Sequence, residues 1–294
     1  MKPLLKVKKR WSALELVVLV LLVFYAAILA VLALWGLLSS VKTDYDFRHN
    51  LFGLPEEWRF DNYLHSFFGF YVEVQRDGVQ SKVYMPEMFW NSLLYAGGCA
   101  LVATYIPCQM AYATSRFKYR FSRIITAVVI VCMALPIVGS LPSEIQTARS
   151  LRLYNTIPGM WLMKAHFLSV YFLIFQGVFK NVPNAYVEAA KIDGASNFTI
   201  YTRIMLPLAS KTFLTVFLLN FIVFWNDYQT PLIFMPDKPT VAYGLYEFSK
   251  RTVSTFSSVP LKLAGAGLVL LPVLILFLIF QRKLMGNLSV GGIK

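Results

Sequence analysis

Charge is scarce in this chain. Only 15% of its 294 residues are charged, against 57% hydrophobic. A soluble domain carries about 25% charged residues. The shortage excludes an ordinary soluble domain and points to a membrane protein that crosses the bilayer several times. Cysteine is scarce too. Cys99, Cys108 and Cys132 all sit in apolar stretches, and their spacings of 9 and 24 fit no zinc pattern. An odd number inside apolar runs also argues against a disulfide framework, so they read as small buried hydrophobes. The three histidines, His49, His65 and His166, are scattered. There is no Gly-x-x-x-x-Gly-Lys phosphate loop, and no glycine directly precedes a lysine. Nucleotide binding by that route is excluded. The metalloprotease His-Glu-x-x-His and the nucleophile Gly-x-Ser-x-Gly are missing as well. No catalytic residue and no metal site is expected, and energy for any work must come from a partner.

What is present is apolar length. Six segments, about 14–38, 89–113, 124–141, 158–179, 212–235 and 261–280, each approach the ~20 residues of a spanning helix. The first is much longer than the apolar core of a cleavable signal peptide and reads as a permanent span. Gly97-Gly98 and Gly265-Ala266-Gly267 read as faces where helices approach closely. The expectation is an all-α membrane protein with six transmembrane helices.

Basic residues set the orientation. With the N-terminus in the cytoplasm, the inner segments hold Lys2, Lys6, Lys8, Lys9 and Arg10, then Arg116, Lys118, Arg120 and Arg123. They also hold Lys180, Lys191, Arg203 and Lys211, then Arg282, Lys283 and Lys294. These are sixteen of the 28 basic residues. The 41–87 segment holds five basic and eight acidic residues and reads as outside. Both termini are therefore expected in the cytoplasm. This asymmetry absorbs the net charge of +13 and leaves no case for nucleic acid; the 114–123 loop, with Arg116, Lys118, Arg120 and Arg123 among aromatics, reads as a topology signal touching anionic headgroups of the membrane lipid. The outer 41–87 loop is too long for a bare connector. Short surface helices are expected there, as a docking surface for an outside partner or as a cap over the bundle.

The inner segment 183–207 carries the most specific pattern. Pro183 suits a first helical turn, and Ala185 to Ile192 are mostly helix formers. Gly194 stops the run by accepting a left-handed turn, and Ser196 suits the N-cap of a second helix. That helix would carry Phe198, Tyr201 and Ile204 on one face and end at Pro207. Such a knob would present Ala189, Ala190, Ile192 and Ala195 to a groove, with Glu188 free to pair with a basic residue of a partner.

These residues resemble a known signature. Glu188-Ala189-Ala190, three residues, Gly194, nine residues, Ile204, one residue, Leu206-Pro207 matches the "EAA" pattern of permease subunits of bacterial ABC importers. Leu151-Arg152-Leu153-Tyr154-Asn155-Thr156 is similar to the "LGLLNT" stretch of the carbohydrate-importer branch. Trp225-Asn226-Asp227-Tyr228 is similar to its "WN(D/E)F" stretch, and Gln281-Arg282 through Gly291-Gly292-Ile293-Lys294 to its tail. The resemblance covers about residues 14–294 and implies the type I importer permease fold of the maltose type. It departs at Lys211-Thr212, where many members carry proline, and in the 72–83 stretch of the outer loop.

The resemblance also implies function. The chain would be a permease subunit of a carbohydrate importer, in the cytoplasmic membrane of a bacterium. It would form the pore with a second permease chain, above two ATPase subunits that bind ATP and Mg, and receive sugar from an extracytoplasmic binding protein. This chain would bind no cofactor of its own. Glu188, Ala189, Ala190, Ile192, Asp193, Gly194, Ala195, Ile204, Leu206 and Pro207 would form the ATPase-coupling site.

The fifth segment holds the candidate substrate path. Asn220, Phe224 and Asp227 share a helix face by spacing, with Trp225, Asn226 and Tyr228 beside them. Aromatic rings stack on sugars, and amides and carboxylates bond hydroxyls. The other reading is that Asp227 satisfies backbone groups at a helix break near Pro231. His166, near Lys164, admits a proton relay or simple placement near the outer end. Two rivals remain in view. An ion-driven secondary transporter would want paired carboxylates or inverted repeats near the midplane, and a membrane-bound enzyme would want a catalytic constellation.

Overall fold

Long apolar runs become helices here because a helix satisfies its own backbone polar groups where water is scarce. The computed structural model describes residues 12–76, 78–117, 119, 121–135, 139–250 and 258–288, with the side chains of 282–288 not included. Of the residues used in the charge and tail arguments, Lys2 through Arg10, Lys118, Arg120 and Gly291 through Lys294 lie outside this description, as do the Arg282 and Lys283 side chains.

In chain order the elements are α1 (Ala13–Ser40), α2 (Asp44–His49), α3 (Asp61–Gly69), β1 (Tyr71–Arg76), β2 (Val79–Tyr84), α4 (Met85–Arg116) and α5 (Phe121–Ala134). There follow α6 (Leu141–Ser150), α7 (Ile157–Met163), α8 (Val170–Asn181), α9 (Ala185–Ile192), α10 (Asn197–Ile200), a π turn (Tyr201–Met205) and α11 (Leu206–Asn226). The last three are α12 (Gln229–Phe234), α13 (Val241–Lys250) and α14 (Val259–Leu288).

Four helices among the described residues are long and apolar enough to cross a membrane: Ala13–Ser40, Met85–Arg116, Asn197–Asn226 and Val259–Gln281. The third expected segment is represented by α5, apolar but 14 residues long. The fourth is not one helix. It divides into α7 and α8, with 164–169 non-helical between them. Lys164 and His166 interrupt the apolar run at that point.

The described residues fall into two units, within Met1–Ser66 plus Val253–Gly267 and within Phe67–Thr252 plus Leu268–Lys294. In the first, Ser12 and Glu15 form a reciprocal capping box at the start of α1. From Leu14 to Leu34 this helix is exposed and apolar nearly all round. The stretch after α1 is held by buried polar groups. The Lys42 ammonium donates to the Asn50 carbonyl, and Asn62 Nδ2 donates to the carbonyls of Ser40 (2.8 Å) and Lys42 (2.9 Å). The expected short helices of the outer loop are α2 and α3.

The all-α expectation needs one correction. Residues 71–84 form an antiparallel hairpin, β1 paired with β2, with Glu73 opposite Lys82 and Arg76 opposite Val79. Its cause is local. Val72, Val74 and Val83 are buried, giving the alternation of a half-buried ribbon. Gly78 takes φ +80° in the tight turn, as the primed hairpin turns require.

In the second unit α4 is the central post, packed on α11, α8 and α7. One apolar cluster joins Phe172, Phe175 and Phe179 to Ala190, Ile200, Tyr201 and Met205. A second joins Tyr95, Cys99 and Met160 to Phe234 and Met235. A polar tie holds the hairpin side: Arg76 donates to the Asp237 carbonyl and pairs with Glu87. Asn155, at φ +60°, bonds the Asp237 carboxylate and accepts from its N–H.

Candidate coupling surface and translocation path

Segment 183–207 builds a helix, a left-handed turn and a second helix. At the end of α9 the Ala195 N–H donates to the Ala190 carbonyl (2.9 Å) and the Gly194 N–H to the Lys191 carbonyl (3.0 Å). This pair of bonds is the Schellman motif, which needs a left-handed residue at Gly194. Gly194 has φ +76°, and a Cβ built there would meet nothing within 4 Å. The demand for glycine is therefore conformational, not steric. Ser196 then caps α10, accepting from the Thr199 N–H at 3.1 Å.

Two expectations change. Pro207 does not end the second helix. It lies in the first turn of α11, and α10, the π turn and α11 run without a break from Asn197 to Asn226. The π turn makes this possible: the Leu206 N–H reaches back to Tyr201, widening the turn where the proline ring and missing N–H would otherwise disrupt the ladder. Ala190 is not presented outward but is buried in the cluster around Phe179. Ile204 and Leu206 pack partly against the same cluster.

The outward face is carried by others. Ile192 is 86% exposed and Phe198 74% exposed, with Glu188, Ala189 and Asp193 exposed beside them and Ala195 half-buried. Two large apolar side chains thus stand exposed on an otherwise polar knob. Phe198 belongs to this face although its spacing groups it with Tyr201, which is buried. No signal in the sequence separates the two.

At the far end of α11 the helix breaks at Asp227, which has ψ 109°. Asp227 accepts from the Tyr95 hydroxyl (2.9 Å) and from the Thr230 N–H at the start of α12 (3.0 Å). Asn220, Phe224 and Asp227 do share a face, and it is turned to α4. Asn220 Nδ2 donates to Thr104 Oγ1 at 3.1 Å, and Phe224 meets Tyr95 edge-on at 6.2 Å. Trp225 is buried, donating to the Val269 carbonyl at 3.0 Å. Asn226 is exposed, and its amide bonds the Ile222 carbonyl. Tyr228 stacks on Tyr246 at 4.3 Å. Lys250 lies 3.9 Å over that Tyr246 ring, and its hydrogen bond to Tyr246 raises its pKa from the ordinary value.

A second break meets the first. The ammonium of Lys164, in the 164–169 interruption, sits 5.9 Å from the Phe224 ring. Non-helical backbone at membrane depth persists only where it is buried in protein or lines a cavity. Tyr95 and Lys164 thus join Phe224 and Asp227. Tyr95 carries no local mark in the sequence; its role depends on a contact 132 residues away. Among the described residues no cluster of His, Cys, Asp and Glu is arranged for a metal ion.

The chain is similar along most of its length to known transport proteins. A diacetylchitobiose uptake system permease protein of Streptomyces coelicolor is 26% identical over 274 residues, 92% of this chain and 86% of that protein. A probable starch degradation products transport system permease protein of Thermoanaerobacterium thermosulfurigenes is 28% identical, over 88% of this chain and 89% of that protein. A crystal structure of a bacterial ABC transporter involved in the import of the acidic polysaccharide alginate contains a chain of the same fold. It has a TM-score of 0.74 and 20% identity, covering 94% of this chain and 99% of that one. The family described as binding-protein-dependent transport system inner membrane component matches residues 103–287. The chain belongs to that family, and is a multi-pass membrane permease component of an ABC sugar-transporter type.

Proposed function

We propose that this chain is one of two pore-forming subunits of an ATP-driven importer for a carbohydrate of the oligosaccharide class. The relatives named for diacetylchitobiose and starch products support the substrate class. The observation that carries the mechanism is the continuous helix Asn197–Asn226. It joins the exposed Ile192–Phe198 knob at one end to the paired breaks at Asp227 and 164–169 at the other. Discontinuous helices that meet in the membrane are where transporters of several folds bind substrate.

In this reading the chain crosses the bilayer six times with both ends inside, α7 and α8 together making the fourth crossing. It sits in the cytoplasmic membrane of a bacterium. Two ATPase subunits hold ATP and Mg and press on the knob, with Glu188 pairing to a basic residue of the ATPase and Ile192 and Phe198 filling its cleft. Ala189, Asp193, Gly194 and Ala195 shape the turn, and Ala190, Ile204, Leu206 and Pro207 seat it on the bundle. An extracytoplasmic binding protein hands over the sugar. Phe224, Asp227 and Tyr228 line the path with Lys164, Asn226 at its margin, while Asn220 and Trp225 fix the helix to α4 and α14. Closure of the ATPases shifts the bundle between inward-open and outward-open forms because the knob's contacts differ in free energy between them.

The test is reconstitution. The purified complex in proteoliposomes should take up a labelled oligosaccharide only with ATP inside and binding protein outside. Uptake driven by an ion gradient without ATP would overturn the proposal in favour of a secondary transporter. Single cysteines at Glu56 and Ile192, on a background lacking native cysteines, should react with an impermeant maleimide from opposite sides. Labelling from the same side would refute the topology.

A further inference from the structure

A cavity of about 320 Å³, half polar and half apolar with Tyr112, Phe117 and Val187 in its wall, lies behind the knob among the ends of α4, α8 and α9. Its volume falls in the range of small-molecule sites, roughly 300–1,000 Å³. Three cations line it, Arg116, Lys180 and Lys191, against one carboxylate, Glu188, with Asn184 and Asn197 beside them. Basic residues at helix C-termini ordinarily complement the helix dipole, and Arg116 does this for α8. Its terminal nitrogens donate to the carbonyls of Phe179 (2.7 Å) and Val182 (2.6 Å) and to Asn184 Oδ1 (2.6 Å). That accounts for Arg116 only in part, because its Nε is buried without a partner. A buried guanidinium N–H without a protein acceptor is costly and favours an anionic acceptor beside it. Among the described residues the Lys180 ammonium meets a neutral amide, Gln176 Oε1 at 3.0 Å, and no carboxylate. Among the described residues neither Lys191 nor Glu188 joins an ion pair. The cavity is thus lined by an excess of positive charge, with one unpartnered guanidinium N–H and two ammonium groups in its wall. That combination suits a phosphate group.

We propose that this cavity binds a phosphate-bearing anion and thereby holds α9 against the ends of α4 and α8. The chemistry is the same for an anionic lipid headgroup and for a free phosphate, and the experiment separates them. The binding claim does not rest on the transport reading. Full-length chain in an uncharged detergent would be titrated in parallel with phosphatidylglycerol, with phosphatidylcholine and with inorganic phosphate. Binding would be read by native mass spectrometry for the lipids and by equilibrium dialysis of labelled phosphate. The expected result is saturable binding of phosphatidylglycerol, of phosphate, or of both, and none of phosphatidylcholine. The arm that saturates names the source. Lys180→Gln with Lys191→Gln, both exposed, should weaken that binding at least tenfold. Arg203→Gln with Lys211→Gln removes the same charge outside the cavity and should leave it unchanged. No saturable binding in either anionic arm, or equal loss in both double variants, would overturn the proposal.

Discussion

Replacing Gly194 tests the geometry of the knob most directly. The residue sits at φ +76° with open space where a Cβ would go. Substitution therefore adds backbone strain and no clash. For an L-residue that strain is roughly 1–2 kcal/mol, enough to shift the turn's local equilibrium by about 5- to 30-fold. A β-branched side chain is a worse outlier in this region than alanine, whereas asparagine visits it readily. Transport per ATP hydrolysed should thus fall in the order glycine, asparagine, alanine, valine, with Gly194→Val losing most of its coupling. Assembly and overall melting temperature should change little, because the strain is confined to an exposed turn. The assay is sugar uptake and ATP hydrolysis measured together in proteoliposomes, with subunit stoichiometry checked on the same sample. Coupling of Gly194→Val equal to wild type would refute the reasoning. So would Gly194→Asn failing as badly as valine, since φ would then not be the cause.

Further expectations are sharp enough to check. The purified chain alone should hydrolyse no ATP, whereas the complex should; a coupled-enzyme assay decides. Asp227→Ala strands the Tyr95 hydroxyl and the Thr230 N–H, each at about 1–3 kcal/mol if left buried and unpaired; it should lower the melting temperature and reduce uptake, while Tyr95→Phe, which removes one bond only, should do less. Ile192→Ser and Phe198→Ser remove exposed apolar groups, so the isolated chain should melt as wild type while affinity for the ATPase subunits falls about tenfold or more, read by surface binding. Asn155→Gly keeps the left-handed backbone but loses the ties to Asp237, and Asn155→Ala loses both; thermal melts should rank wild type, glycine, alanine.

Much of the knob was legible because its chemistry is local. Gly194 and Ser196 stand at a helix end and a helix start, where a single residue decides the geometry, and both take the roles their types predict. Pro207 was ambiguous for a physical reason. Proline ends a helix or begins one, and the π turn that lets it begin α11 leaves no mark in the sequence. The facing of Ala190 and Phe198 was hidden because it depends on a cluster assembled from six helices and the π turn. The hairpin was in principle readable from alternating valines around Asp77-Gly78, but charged residues on its open face made it look like loop. The break at 164–169 was masked by its apolar surroundings, with Lys164 and His166 as its only signs. The tie between Tyr95 and Asp227 belongs to tertiary structure alone.

The unbroken path from Asn197 to Asn226 has a mechanical consequence. Thirty residues at 1.5 Å each make a rod about 45 Å long. A hinge anywhere along it would let one end move while the other stayed still; here none intervenes, because the π turn keeps the ladder bonded past Pro207. A tilt of only about 5° about Ser196 would sweep the Asp227 end through about 4 Å on that length. This is more than the length of a hydrogen bond, so the contact with Tyr95 could not survive such a swing unless α4 moved with it. In the proposed mechanism the rod would act as a lever with its long arm toward Asp227, and the bond between Tyr95 and Asp227 would be the catch that a stroke of that size must either carry along or release.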